Sequence, residues 1–152
     1  MLHEYPLQNF DDAGGITSVA RLAWDVARRQ EAGETIWEVV QAGQPIGVVG
    51  YASISSEVAA LHGICFLSSV HGTGIPLAAV QMAFETIFAQ GHDLIFAGHF
   101  ADNIPIQKFL AKLGAVEHHG NSHEVARCGK MVPVRIVTVK ASDFFAMRRR
   151  VA

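Results

Sequence analysis

The chain has 152 residues, half of them hydrophobic and 17% charged, a size and apolar fraction that supply one domain with a sizeable core and exclude a disordered or fibrous chain. A formal charge of −2, with basic clustering confined to Arg148-Arg149-Arg150, gives no general attraction to nucleic acid. No run is long and apolar enough to span a bilayer, Met1-Leu2-His3-Glu4-Tyr5 carries no signal pattern, and Cys65 and Cys128 stand far apart. The reading is therefore a cytoplasmic protein with no disulfide framework and neither a membrane nor a nucleic-acid partner.

Tyr5–Phe10 reads as a short opening strand, and Gly14-Gly15 precedes a helix over Ile16–Gln30 with Val19, Leu22, Ala23 and Val26 at helical spacing. Thr35–Gln41 and Ile46–Ile54 read as strands joined by Gly43-Gln44-Pro45, residues suited to a tight hairpin, and Val58–Leu67 follows as a third strand. After the turn His71-Gly72-Thr73-Gly74, a helix over Ile75–Gln90 carries Leu77, Val80, Phe84, Ile87 and Phe88 on one stripe, with Gly91 placed to close it in the left-handed conformation. Asp93–His99 suits a central strand, and Asn103–Leu113 a second helix with Pro105 tolerated in its first turn. Val116–His119 and Val134–Lys140 supply the last strands, with a polar loop over Gly120–Val132 and a frayed, solvated basic tail at the end. This order predicts a single α+β domain: a mixed central β-sheet flanked by helices on both faces.

The junction at His71–Leu77 has the design of a phosphate cradle. A strand that stops in a glycine turn and feeds directly into a helix aims free backbone N–H groups and the positive end of the helix dipole at one point. Gly72 and Gly74 permit unusual dihedrals and close approach of an anion. No Lys-Ser or Lys-Thr follows, which excludes a Walker P-loop, and Leu77 stands where a dinucleotide fingerprint needs its third glycine.

The run His71-Gly72-Thr73-Gly74-Ile75-Pro76-Leu77 resembles motif A of the GNAT superfamily of acyl-CoA N-acyltransferases, Gln/Arg-x-x-Gly-x-Gly/Ala. Gly74 matches outright, whereas His71 stands where that family carries Gln or Arg, and Pro76 stands where it carries Gly or Ala. Asn103 to Ala115 resembles motif B: Asn103, Phe109, Lys112 and Gly114 match, and Leu110 occupies the position where many members place the Tyr that protonates the departing thiolate. The 29 positions between Gly74 and Asn103 hold one helix, a loop and one strand.

The resemblance implies acetyl-CoA as co-substrate, held by backbone groups of Phe66, Leu67 and Ser68 at the reacting carbonyl and by His71, Gly72, Thr73, Gly74, Ile75 and Asn103 along the cofactor. It also implies a base on the strand before motif A, about ten residues upstream. His62 lies nine residues before His71, and an imidazole, with a reference pKa of about 6.5, suits proton removal at neutral pH. Alternation along Val58–Leu67 places Ala60, His62, Ile64 and Phe66 on one face, and the plain structural reading of His62 is a half-buried polar residue on a strand. Glu57, acting through a water, and His99, at the end of the next strand, are the other catalytic candidates; each also has a plain structural reading as a solvated carboxylate or a backbone-bonded histidine. Solvent, Ser69 or His99 is the substitute for the missing Tyr. His118, His119 and His123 with Glu117 and Glu124 lack zinc-site spacing, so no metal is expected, and the segment reads as a substrate-facing loop.

Two functions stay open. One is transfer of an acetyl group to a small-molecule or peptide amine, by a protein whose assembly as a homodimer is undecided. The other is a turnover-deficient, CoA-binding or structural assembly module like the short GNAT-type domains of tailed phages, for which Leu110, Pro76 and His71 speak.

Overall fold

The computed structural model describes residues 26–118, 123–127 and 129–151; the expected strand Tyr5–Phe10 and most of the helix Ile16–Gln30 lie outside them. Residues 26–31 are helical and are called α1. There follow β1 (Thr35–Gln41), β2 (Gln44–Ser53), β3 (Val58–Phe66), a 3-10 turn (Ser68–Val70), α2 (Ile75–Ala89), β4 (Leu94–Phe100), α3 (Ile104–Ala111), β5 (Val116–Glu117), β6 (His123–Arg127), β7 (Lys130–Lys140) and α4 (Ala141–Val151). The strands form one seven-stranded sheet in the order β1-β2-β3-β4-β7-β5, with β6 also on β7. Among the described residues only β3 and β4 pair in parallel; the other pairings are antiparallel.

The β1–β2 hairpin turns at Ala42-Gly43, with φ of 50° and 77°, the paired left-handed residues whose twist matches that of the flanking strands. The sequence reading placed this turn one residue late. Gln44 already pairs with Gln41, and Pro45 faces Val40 where the register shifts, a position at which a missing N–H interrupts no regular ladder. One face of the sheet, with Val49, Tyr51, Ala59, Leu61, Ile95, Ala97, Val137 and Val139, packs on Val80, Phe84 and Ile87 of α2, Leu110 and Leu113 of α3, and Phe144 of α4. Gly50, between Val49 and Tyr51, therefore faces the other way, and there it lies under Arg29 of α1.

Two expectations for the C-terminal third are corrected. The polar loop Gly120–Val132 is largely a hairpin, since His123–Arg127 pairs with Lys130–Val134 through a turn at Gly129, whose φ is 74°. The basic tail is not frayed: it ends α4, whose Asp143 in the first turn and arginines in the last complement the helix dipole. Phe144 is buried against Phe84 and Phe88, with ring centroids 5.8 and 5.5 Å apart, and Arg148 ion-pairs with Glu85 of α2. Phe144→Ala is accordingly expected to cost about 3–5 kcal/mol in urea unfolding, whereas a frayed tail would leave the midpoint unchanged. Among the described residues no helix is long and apolar enough to cross a membrane.

Candidate active site

β3 and β4 keep parallel register only from Val58 to Leu61 against Leu94 to Ala97. A bulge then separates them. Val49 pairs with Ile64 and Tyr51 with Leu61, so His62 and Gly63 together oppose Gly50, and Gly63 takes a φ of 121° open to glycine alone. The extra residue bends β3 and strengthens its twist. β3 continues along β2 to Phe66 while β4 continues along β7 to Phe100, and a cleft of about 480 Å³ opens between them.

The bulge also reverses the strand's phase. Ala59 and Leu61 share the core face with Ile64 and Phe66, so the alternation that grouped Ala60 and His62 with Ile64 and Phe66 does not hold. Because the sheet itself parts, the cleft is walled from both faces: by Leu61, Ala97, Ile106 and Leu110 on the helical side, and by His62, Gly98, His123 and Ile136 on the other.

The glycine turn stands at the upper end of β3. Gly72 and Gly74 have φ of 75° and 81°, and a Cβ on either would meet nothing within 4 Å, so both face open space. His71 N–H donates to Ser68 O, Thr73 N–H to Val70 O at 3.3 Å, and Ile75 N–H to Thr73 Oγ1 at 3.3 Å. The N–H groups of Gly72, Gly74 and Leu77 find no acceptor among the described residues. Pro76 has none to offer. The first turn of α2 carries no acidic residue, so three donors and the helix dipole meet an anion unopposed. His71 Nε2 donates to Phe66 O at 3.0 Å, which ties the ring to the strand; in the neutral form of such a ring Nδ1 is then an acceptor.

α3 forms the opposite lip. Asn103 caps it, accepting at Oδ1 from Ile106 N–H at 3.2 Å, and this fixes the amide so that its Nδ2 donors remain at the cleft that Asn103 lines. Asn103→Asp keeps the cap and removes those donors. It is expected to leave the melting temperature within about 2 °C of the parent, since a carboxylate also caps well, while weakening CoA binding about tenfold, one lost hydrogen bond; paired melting and calorimetry separate the two roles. Leu110, only 3% exposed, packs as an apolar wall where the resemblance places a Tyr.

The predicted catalytic residues are only partly brought together. His62 and His99 both line the cleft. His62 is exposed, its Nδ1 3.0 Å from Glu34 Oε1. His99 is buried, its Nδ1 donating to Phe100 O at 2.9 Å, so that in the neutral form of the ring Nε2 is an acceptor. Glu57 sits apart, in the β2–β3 turn at the far end of β3, where its carbonyl accepts from Asp93 and Leu94 N–H at 2.8 and 3.2 Å. Leu67 N–H is committed to Ile46 O at 2.9 Å; since alternate residues of an antiparallel strand turn their N–H groups to opposite edges, that of Phe66 points toward the splay. Ser68 lies in the 3-10 turn, its carbonyl taken by His71 N–H. His123, from the unforeseen strand β6, joins the cleft opposite Val134. Glu34 is the other residue sequence reasoning missed. No cluster of metal ligands occurs among the described residues.

A mixed sheet opens between two parallel strands, beneath a glycine turn at a helix N-terminus whose free N–H groups suit an anion. Residues 6–116 match the family model for the acetyltransferase (GNAT) domain, and the chain belongs to that family. No curated protein matches the sequence. Among solved structures, a spermidine N-acetyltransferase chimera from Vibrio cholerae and the human enzyme is 18% identical, with a TM-score of 0.71 over 86% of this chain and 81% of that one. A ribosomal-protein-alanine N-acetyltransferase from Brucella melitensis is 15% identical, with a TM-score of 0.65 over 81% and 78%. A GNAT acetyltransferase from Elizabethkingia anophelis, solved with acetyl-CoA bound, is 9% identical, with a TM-score of 0.64 over 76% and 82%.

Proposed function

We propose that the protein transfers an acetyl group from acetyl-CoA to an amine, as a single domain acting in the cytoplasm on a small-molecule or peptide acceptor. The observation that carries this reading is the parting of β3 and β4 directly below three unpartnered N–H groups of the α2 turn. In the reading, Gly72, Gly74 and Leu77, with Thr73 and Ile75 beside them, bind the pyrophosphate. The pantetheine arm runs down the cleft past Asn103, and the thioester carbonyl is polarised by the Phe66 N–H. His62 takes the proton from the incoming amine on the face of the sheet away from α2 and α3, so that nitrogen attacks carbon as the C–S bond breaks. Leu110 offers no proton to the departing thiolate, which makes solvent its source and the turnover slow.

The test is calorimetric titration with acetyl-CoA, followed by thiol release in the presence of spermidine and of alanine-ended peptides, the acceptors named for two structural neighbours. Binding with amine-dependent thiol release is expected. Absence of binding would sink the reading. The buried apolar Leu110 specifically favours one alternative, a CoA-binding module without turnover, which becomes the better account if binding is clear and a broad amine panel releases no thiol.

A further inference from the structure

We propose that Glu34 is a positioning residue for His62: its carboxylate holds the imidazole as the Nδ1–H tautomer, so that a bare Nε2 is presented to the cleft. The kinetic consequence rests on the acetyltransferase reading; the geometry does not.

Glu34 is set in place by the end of α1. Gly33, with φ of 93°, closes the helix, and Gly33 N–H and Glu34 N–H bond back to Gln30 O and Arg29 O at 3.0 Å each. The two carboxylate oxygens are then divided. Oε2 accepts from Arg29 Nε at 2.7 Å, and Oε1 faces His62 Nδ1 at 3.0 Å. The Arg29 and Glu34 side chains are 11% and 16% exposed, while that of His62 is 44% exposed. The orienting pair is shielded and the oriented ring reaches solvent.

Arg29 also donates to the carbonyl of His62 itself, so one guanidinium grips both the carboxylate that orients the ring and the backbone that carries it. Gly50 leaves the path open: a Cβ there would come within 3.3 Å of both Arg29 Nη2 and His62 O. The bulge at Gly63 supplies the last condition, because it sets His62 on this face while the strand turns back to the core after it.

A carboxylate is acceptor-only, so the bond to Nδ1 requires a proton there, and a neutral ring then carries its lone pair on Nε2. That is the form an amine's proton needs. A purely structural role is the competing account, in which Arg29 and Glu34 merely fasten α1 to the sheet and His62 takes whichever tautomer solvent favours.

Glu34→Gln separates the two. The amide keeps the volume and an oxygen for Arg29, but it turns an NH2 toward Nδ1, which can then only accept. Two-bond nitrogen–proton correlation spectra of the protein alone, at a pH where His62 is neutral, should show the Nδ1–H tautomer in the parent and a shift to Nε2–H in the variant. In turnover, kcat should fall roughly 10–100-fold with KM for acetyl-CoA and the melting temperature unchanged, and Glu34→Asp should recover part of the loss. An Nε2–H ring in the parent overturns the proposal even if transfer is fast, and so does a fall in kcat with no change of tautomer. Failure of the parent to transfer acetyl groups, with the tautomer shift intact, overturns the acetyltransferase reading and leaves the Glu34–His62 pair standing.

Discussion

His62→Ala is expected to lower kcat for acetyl transfer by about 10²–10⁴-fold, the range a positioned general base contributes, while acetyl-CoA affinity stays within twofold. The separation follows from where the ring sits. Its side chain is 44% exposed, so truncation removes little buried surface and changes stability by no more than about 0.5 kcal/mol. Glu34 keeps its bond to Arg29 when the ring is gone, so no carboxylate is left without a partner. The groups assigned to the pyrophosphate and the pantetheine arm lie at the N-terminal ends of α2 and α3, and His62 reaches the cleft from the face those helices do not cover. Thiol release under saturating acetyl-CoA, with calorimetry on the same preparation, gives both quantities; a kcat within threefold of the parent would remove His62 from the mechanism. The same substitution at His99 is less informative, because that ring is buried and bonded to Phe100 O, so its loss mixes stability with rate.

The cradle is legible in the sequence because it is a local device. A strand, two glycines and a helix fall within about a dozen residues, and both glycines adopt the positive φ that their lack of a Cβ allows. α2 and α3 are readable for the same reason, through an apolar stripe closed by Gly91 in one case and an Asn cap with Gly114 in the other. What decides the chemistry is less local. A period-two count along Val58–Leu67 cannot see that one residue of β2 faces two of β3; the only sign was a glycine inside a strand, Gly63, which marks bulges. The partner of His62 lies 28 positions earlier, at a helix end whose side chains no motif singles out. β6 was hidden by its polar composition: His123 and Glu124 are both exposed, and the apolar alternation is too short to stand out. α4 was masked by its three arginines, although Phe144 and Phe145 just before them were the signal for a docked helix.

Gly74→Val is expected to weaken CoA binding by about 100-fold or more. Gly74 is the N-cap of α2 at φ 81°, and its side-chain position opens into the space before the helix, with no protein atom within 4 Å. An isopropyl group there occupies the approach to the Gly72, Gly74 and Leu77 N–H groups. Each hydrogen bond to a charged group is worth about 1.5–3 kcal/mol, so two lost donors suffice for that factor. The same change strains the backbone by about 1–2 kcal/mol, since a residue with a Cβ is disfavoured in the left-handed region, and this cost must be distinguished from loss of the site. Gly91→Val provides the reference: Gly91 has φ of 101°, faces open space equally, and closes the opposite end of the same helix. Both variants should lose comparable stability in urea, and only Gly74→Val should lose CoA affinity. Equal affinities in the two would show that the anion is held elsewhere than at the α2 turn, whatever the fate of acetyl transfer.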